Sequence, residues 1–119
     1  KLNNFLISIQ NGYLPNPYHS FRHAFDVTQC LFYFLVTGRA AEYLTKLEIF
    51  SLLVSATGHD LRHPGFTNSF LIATESPIAI QFNDNSPLEN LHCLSTWNLL
   101  TNPSINIIEG LSTNERLTF

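Results

Sequence analysis

Apolar residues recur along this chain at helical rather than strand spacing. Leu2, Phe5, Leu6 and Ile9 fall at i, i+3, i+4 and i+7, which predicts a short helix ending near Asn11-Gly12. Leu14-Pro15-Asn16-Pro17 must then be extended, because proline fixes its own φ and turns the residue before it away from the helix. From Phe21, the positions Ala24, Phe25, Leu31, Phe32 and Leu35 suit a second helix that ends at Gly38 and is largely buried, with few charges after Asp26. Thr45-Lys46-Leu47-Glu48 has the form of a capping box, and the almost wholly apolar run Leu47 to Thr57 behind it predicts a core helix. Gly58 ends that helix or lets the backbone approach something closely, with His59 and Asp60 directly after it. His63-Pro64-Gly65 signals a turn, Asn68 to Ala73 a short helix, and Ser76-Pro77 the opening of another. Ser86-Pro87-Leu88-Glu89 repeats the device before a helix carrying Leu91, Leu94, Trp97 and Leu99, which must stop by Asn102-Pro103. Only Ser104 to Ile108 alternates, and it is too short to change the class. The expected fold is all-α, one multi-helix domain piece without internal repeats.

Composition narrows what such a piece can be. At 119 residues, 45% hydrophobic and 13% charged, the chain is too apolar to be disordered. Six Lys+Arg against nine Asp+Glu give a net charge of −3, and the cations are scattered singly, so a nucleic-acid-binding module is not expected. The longest apolar runs fall well short of the roughly 20 residues of a membrane span, and no basic-then-apolar leader opens the chain. Cys30 and Cys93 lie inside apolar patterns, and are expected to be inert buried thiols of a reducing, cytoplasmic compartment. Without any methionine, Lys1 is expected to lie inside a longer protein. Ser112-Thr113-Asn114-Glu115 announces a helix about a turn before Phe119, so the domain is expected to continue downstream as well.

The candidate chemistry is in the histidines. Five histidines occur in the first 92 residues, His19, His23, His59, His63 and His92, with Asp60 attached directly to one of them. Imidazole and carboxylate together suit zinc and other divalent first-row ions, while carboxylate and water also suit magnesium or manganese. Adjacent His59 and Asp60 reach one ion only where the backbone turns, which Gly58 permits. The remaining residues carry two readings each. His19 and His23, four apart, are either a ligand pair or polar residues around a helix start, with His19 before the helix and His23 inside it. Glu89 is either a site carboxylate or the partner in its capping box, His92 a site residue or a buried imidazole bonded to backbone, and Asn68 a site residue or a helix starter. No Gly-rich phosphate loop and no nucleophile elbow occurs, so phosphate would have to be handled through metals.

Three blocks taken together resemble the catalytic domain of the class I 3′,5′-cyclic-nucleotide phosphodiesterases, which are HD-type metal hydrolases. Pro17-Tyr18-His19-Ser20-Phe21-Arg22-His23-Ala24 is similar to the family's His-Asn-x-x-His-Ala. His59-Asp60-Leu61-Arg62-His63 through Asn68 is similar to His-Asp-x-x-His-x-x-x-x-Asn, and Ser86-Pro87-Leu88-Glu89-Asn90-Leu91-His92 to Ser-Pro-Leu-Glu-Asn-His-His. The resemblance implies a truncated phosphodiesterase-like helical bundle, residues 1–119 being its N-terminal portion. It implies hydrolysis of cAMP, cGMP or both to 5′-monophosphates in signal transduction, with the isolated piece incomplete. His23, His59 and Asp60 would bind a zinc ion, and Asp60 would bridge to a second ion, magnesium or manganese. His63 and Glu89 would belong to that second ion's water shell. A hydroxide shared by the ions would attack the cyclic phosphate, His19 would protonate the departing O3′ with a carboxylate such as Glu89 favouring its charge, and Asn68 and His92 would complete the pocket. Residues that select the purine would lie beyond Phe119, and a homodimer of the whole protein is left open.

Three positions differ from the family pattern: Ser20 stands for Asn, Leu91 for the first His of its block, and Arg62 for Asp. Facing the ions, Arg62 would oppose them by like-charge repulsion; facing solvent, it would be nearly silent. Arg62 and Leu91 motivate the alternative of a degenerate, non-catalytic binding or regulatory module. Another HD-type phosphohydrolase acting on nucleotides is a further alternative, less favoured by the Pro-Tyr-His and Ser-Pro-Leu-Glu-Asn blocks.

Overall fold

The computed structural model describes residues 1–119 and is all-helical, as the periodicity predicts. Helices α1 (Leu2–Gly12), α2 (Phe21–Val36) and α3 (Lys46–Gly58) come first, with a 3₁₀ turn at Ala40–Tyr43 before α3. The short helices α4 (Asn68–Ala73) and α5 (Pro77–Gln81) lead into α6 (Pro87–Thr101) and α7 (Thr113–Thr118). Their ends follow local chemistry. Thr45 and Glu48 form the expected reciprocal capping box on α3, and Ser112 and Glu115 form the one on α7. Ser76 accepts from the Ile78 amide ahead of Pro77, at the first position of α5. No helix is long and apolar enough to cross a membrane.

The main core is built where α1, α3 and α6 meet. Phe5 and Ile9 of α1, with Leu61, Leu100 and Ile108, are almost wholly buried there, joined by Tyr13, Ala24 and Val54. A satellite cluster of Leu71, Ala79 and Leu88 fastens α4 and α5 onto the first turn of α6. Ser104 to Ile108 forms turns rather than a strand, and its Ile105 and Ile108 close the main core.

Three expectations are corrected. Helix α2 is not largely buried: only Ala24 and Leu35 are, while Phe25, Phe32, Tyr33 and Phe34 are each about 57–62% exposed. It packs on one main neighbour, α3, and successive residues project roughly 100° apart around a helix, so a continuous Phe32-Tyr33-Phe34 run cannot all face one partner. Cys30 and Cys93 are accordingly exposed free thiols rather than core residues, each on an outer side of its helix. The Ser86–Glu89 capping box does not form, because Ser86 adopts a left-handed conformation (φ 44°) and its hydroxyl caps nothing. Asn68 supplies the cap from α4 instead: its Oδ1 accepts from the Leu88 amide at 2.9 Å, and its Nδ2 donates to Glu89 Oε2 at 2.9 Å.

Gly58 carries the closest helix approach near the site. A Cβ there would lie 2.3 Å from Thr96 Oγ1 and 2.9 Å from Thr96 Cγ2 on α6. Gly58→Ala is therefore expected to destabilise the protein by about 1–3 kcal/mol through overpacking, and adding Thr96→Ala to recover part of the loss, read from denaturant midpoints as a double-mutant cycle. Arg62 sits at φ 65°, a left-handed position that Asn tolerates far better than Arg. Arg62→Asn is expected to raise the thermal midpoint, by the equivalent of about 1 kcal/mol.

Candidate metal centre

The site begins where α3 stops. Leu61 N donates to Gly58 O at 3.0 Å and His63 N to Asp60 O at 3.0 Å, two tight turns that bring His59, Asp60 and His63 around one end of the helix. Helix α2 lies alongside, with His23 in its first turn and His19 in the segment before it. His23 Nε2 lies 3.3 Å from His59 Nε2 and 3.6 Å from Asp60 Oδ2, and His59 Nε2 lies 3.2 Å from the same oxygen. Four ligands held tetrahedrally about 2.1 Å from a zinc ion stand about 3.4 Å from one another, so these three edges match one face of such a polyhedron. His59 Nδ1 pairs with the Ala56 carbonyl at 2.9 Å, which places its proton on Nδ1 and frees the Nε2 lone pair for a metal.

Asp60 has a second face. Its Oδ1 lies 3.9 Å from His92 Nε2, and Asp60, His63 and His92 form another group whose donor atoms are mutually within 4.8 Å. His92 Nδ1 donates to the Leu61 carbonyl at 2.8 Å, so its Nε2 also carries a free lone pair. His63 has the opposite arrangement: Nδ1 accepts from the Gly65 amide at 3.0 Å, so the neutral ring keeps its proton on Nε2 and donates from there. Both imidazoles are buried, and burial lowers the pKa of each; nearby His19 lowers that of His63 further, and these effects outweigh the opposing pull of Asp60 and, at His92, of the Leu61 hydrogen bond. They are held in the neutral form that a cation site requires.

The remaining candidates sit around these two groups. His19 joins neither, but its ring stacks on that of His63 with centroids 3.8 Å apart and planes 8° from parallel. Glu89 is exposed and engaged with Asn68, whose hydrogen bond holds its carboxyl below the usual range. No hydrogen bond or ion pair joins it to His19, and the buried His92 falls in one group with Asp60 and His63. Arg62 is exposed and makes no ion pair, and Leu91 is buried; neither enters the two groups.

Sequence reasoning missed two residues of the extended segment between α1 and α2. Tyr13 Oη donates to the Thr57 carbonyl at 3.0 Å and accepts from the Asp60 amide at 3.3 Å, with burial pushing its pKa up to about 12. Asn16 bonds the carbonyls of both His19 and His63. The available signal was a buried-type aromatic and an amide between prolines, immediately ahead of the first histidine.

The 3′5′-cyclic nucleotide phosphodiesterase family matches residues 18–119. The 3′,5′-cyclic-nucleotide phosphodiesterase regA of Dictyostelium discoideum is 45% identical over 97% of this chain, and the high affinity cGMP-specific 3′,5′-cyclic phosphodiesterase 9A of Mus musculus 37% identical over 92%. The chain spans 15% and 21% of those two proteins. The crystal structure of the phosphodiesterase domain of Salpingoeca rosetta rhodopsin phosphodiesterase superposes with a TM-score of 0.92 at 36% identity, covering 98% of this chain and 35% of that one. The blocks that carry the histidines lie within a match of this extent and agree with a solved backbone throughout. By that match the chain belongs to the 3′5′-cyclic nucleotide phosphodiesterase family.

Proposed function

We propose that residues 1–119 are the N-terminal portion of a catalytic domain that hydrolyses cAMP, cGMP or both to 5′-monophosphates. The observation that carries this reading is Asp60, whose two carboxylate oxygens each face a separate set of imidazoles. Such a carboxylate suits a pair of cations. His23, His59 and Asp60 would hold a zinc ion through two nitrogens and an oxygen, and the other oxygen of Asp60 would serve magnesium or manganese. Bound ions supply Lewis-acid charge to the phosphoryl oxygens and acidify the attacking water.

The chain's own residues do the rest. His63 presents an Nε2–H beside Asp60 and orients that water, with Glu89 and Asn68 fixed together at the rim of the same face. Hydrolysis forms a bond from water oxygen to phosphorus and breaks the bond from phosphorus to O3′. The attacking water loses a proton to solvent, and the leaving O3′ needs one, which His19, outside both cation groups, delivers as an imidazolium; solvent then reprotonates the ring. The degenerate-module alternative rests on Arg62 and Leu91. With Arg62 exposed and Leu91 in the core, neither takes up a ligand position, and the enzyme reading is the one adopted.

In the full-length protein, chelation is expected to stop release of 5′-monophosphate from cAMP or cGMP, and zinc with magnesium to restore it; a folded, metal-loaded protein that turns over neither nucleotide refutes the reading. Asp60→Ala removes an oxygen from both groups, so metal content measured by atomic emission should fall together with turnover, the latter by about a thousandfold or more. His19→Ala should lower kcat by about 10²–10⁴-fold with both ions retained; loss of metal from that variant would show that His19 is a ligand and not the acid.

A further inference from the structure

The segment joining α1 to α2 carries one group that could react, His19, and the rest of it is bonded to the site at several points. Gly12 O accepts from the Arg62 amide at 3.2 Å, and Tyr13 Oη stands between Thr57 and Asp60. Asn16 is the most informative of these contacts because one side chain serves two loops. Its Nδ2 donates to the His63 carbonyl at 2.7 Å and to the His19 carbonyl at 3.1 Å. Two carbonyl partners fix the sense of the amide, since the reversed group would set its oxygen against both. The amide oxygen then faces Gly65, where a Cβ would approach to 3.0 Å, and Gly65 is in turn the residue whose N–H is donated to His63 Nδ1. The two backbones that Asn16 joins are those whose imidazoles stack at 3.8 Å.

We propose that Asn16 is a positioning residue that holds the His19 imidazole flat against His63 and so sets where the proton donor stands. The inference rests on the reading of His19 given above. Neither ring needs Asn16 for its chemistry, since His63 obtains its tautomer from Gly65 and His19 makes no side-chain hydrogen bond. What the amide controls is the separation of two chain segments 47 residues apart at Asn16 and His63. Displacing one reacting group by about an ångström is enough to cost roughly a hundredfold in rate.

The test uses Asn16→Asp, which keeps the shape and removes both donors, and Asn16→Ala, which keeps the proposal testable should the aspartate's repulsion of two carbonyls prevent folding. Both are made in the full-length, metal-loaded protein selectively labelled at histidine Cε1. The expected result is loss of the mutual ring-current shift of the His19 and His63 resonances, with metal content unchanged, kcat lowered ten- to hundredfold and KM within twofold. A folded variant that keeps the stacked-ring shift, or one that loses it with kcat intact while His19→Ala is impaired, overturns the proposal. Should His19→Ala itself leave kcat unchanged, the acid assignment fails, and the ring-current shift still decides separately whether Asn16 fixes the pair.

Discussion

The rest of this structure is arranged around one electrostatic problem: a carboxylate, Asp60, largely withdrawn from water and surrounded by imidazoles, of which burial disfavours the charged form at His63 and His92. A buried carboxylate is costly unless a cation or several donors satisfy it, and protonated histidines would be the simplest remedy. The protein does not take it at His63 and His92, where burial disfavours the charged ring. A metal ion is the cation that neutral imidazoles and a carboxylate can share. The C-terminal end of α3 suits a cation as well, because the carbonyls there point along the negative end of the helix dipole.

Imidazoles and a carboxylate serve a cation only if they are oriented before it arrives, and here the surrounding backbone fixes their orientation. The carbonyls of Ala56 and Leu61 fix the tautomers of His59 and His92, the Gly65 amide fixes that of His63, and Tyr13 anchors the amide of Asp60 itself. Each of these partners is either inside the turn that ends α3 or fastened to it. The absence of a side chain at Gly58 lets α6 approach closely enough for His92 to reach Asp60, since Thr96 occupies the space a Cβ would need. Packing and chemistry are thus the same requirement at this position.

How much of this was legible in the sequence depends on the range of the interaction. Helix boundaries at Thr45, Ser76, Pro77 and Ser112 were readable because a cap involves residues two or three apart and proline acts on its own φ. The grouping of His23 with His59 and Asp60 followed from the family resemblance, not from spacing, which left His19 and His23 ambiguous. Burial of α2 was misread because apolar content does not say how many neighbours a helix has. The Ser86 cap failed for a similar reason: the motif is local, but the left-handed φ at Ser86 and the intervention of Asn68, twenty residues upstream of Leu88, are not. Tyr13 and Asn16 act across 44 to 47 residues and leave no periodic trace.

The three departures from the family pattern can be weighed by the same criterion, whether the position aims a ligand. Ser20 is the N-cap of α2 by backbone conformation alone and makes no side-chain cap bond, so the amide expected there is replaced by a residue that contributes little to the helix start. Leu91 is buried next to His92 on α6, where a hydrocarbon side chain packs without leaving a polar group unpaired. Arg62 occupies the left-handed turn between Asp60 and His63 and is exposed, which lets solvent screen its charge from the carboxylate side of the site. Its backbone amide still donates to Gly12, so the turn keeps its tie to the α1 end whatever side chain it carries. The geometry of the site therefore depends at position 62 on a main-chain bond and a backbone angle, and the residue that changed from acid to base is one whose side chain the aim of the ligands does not use.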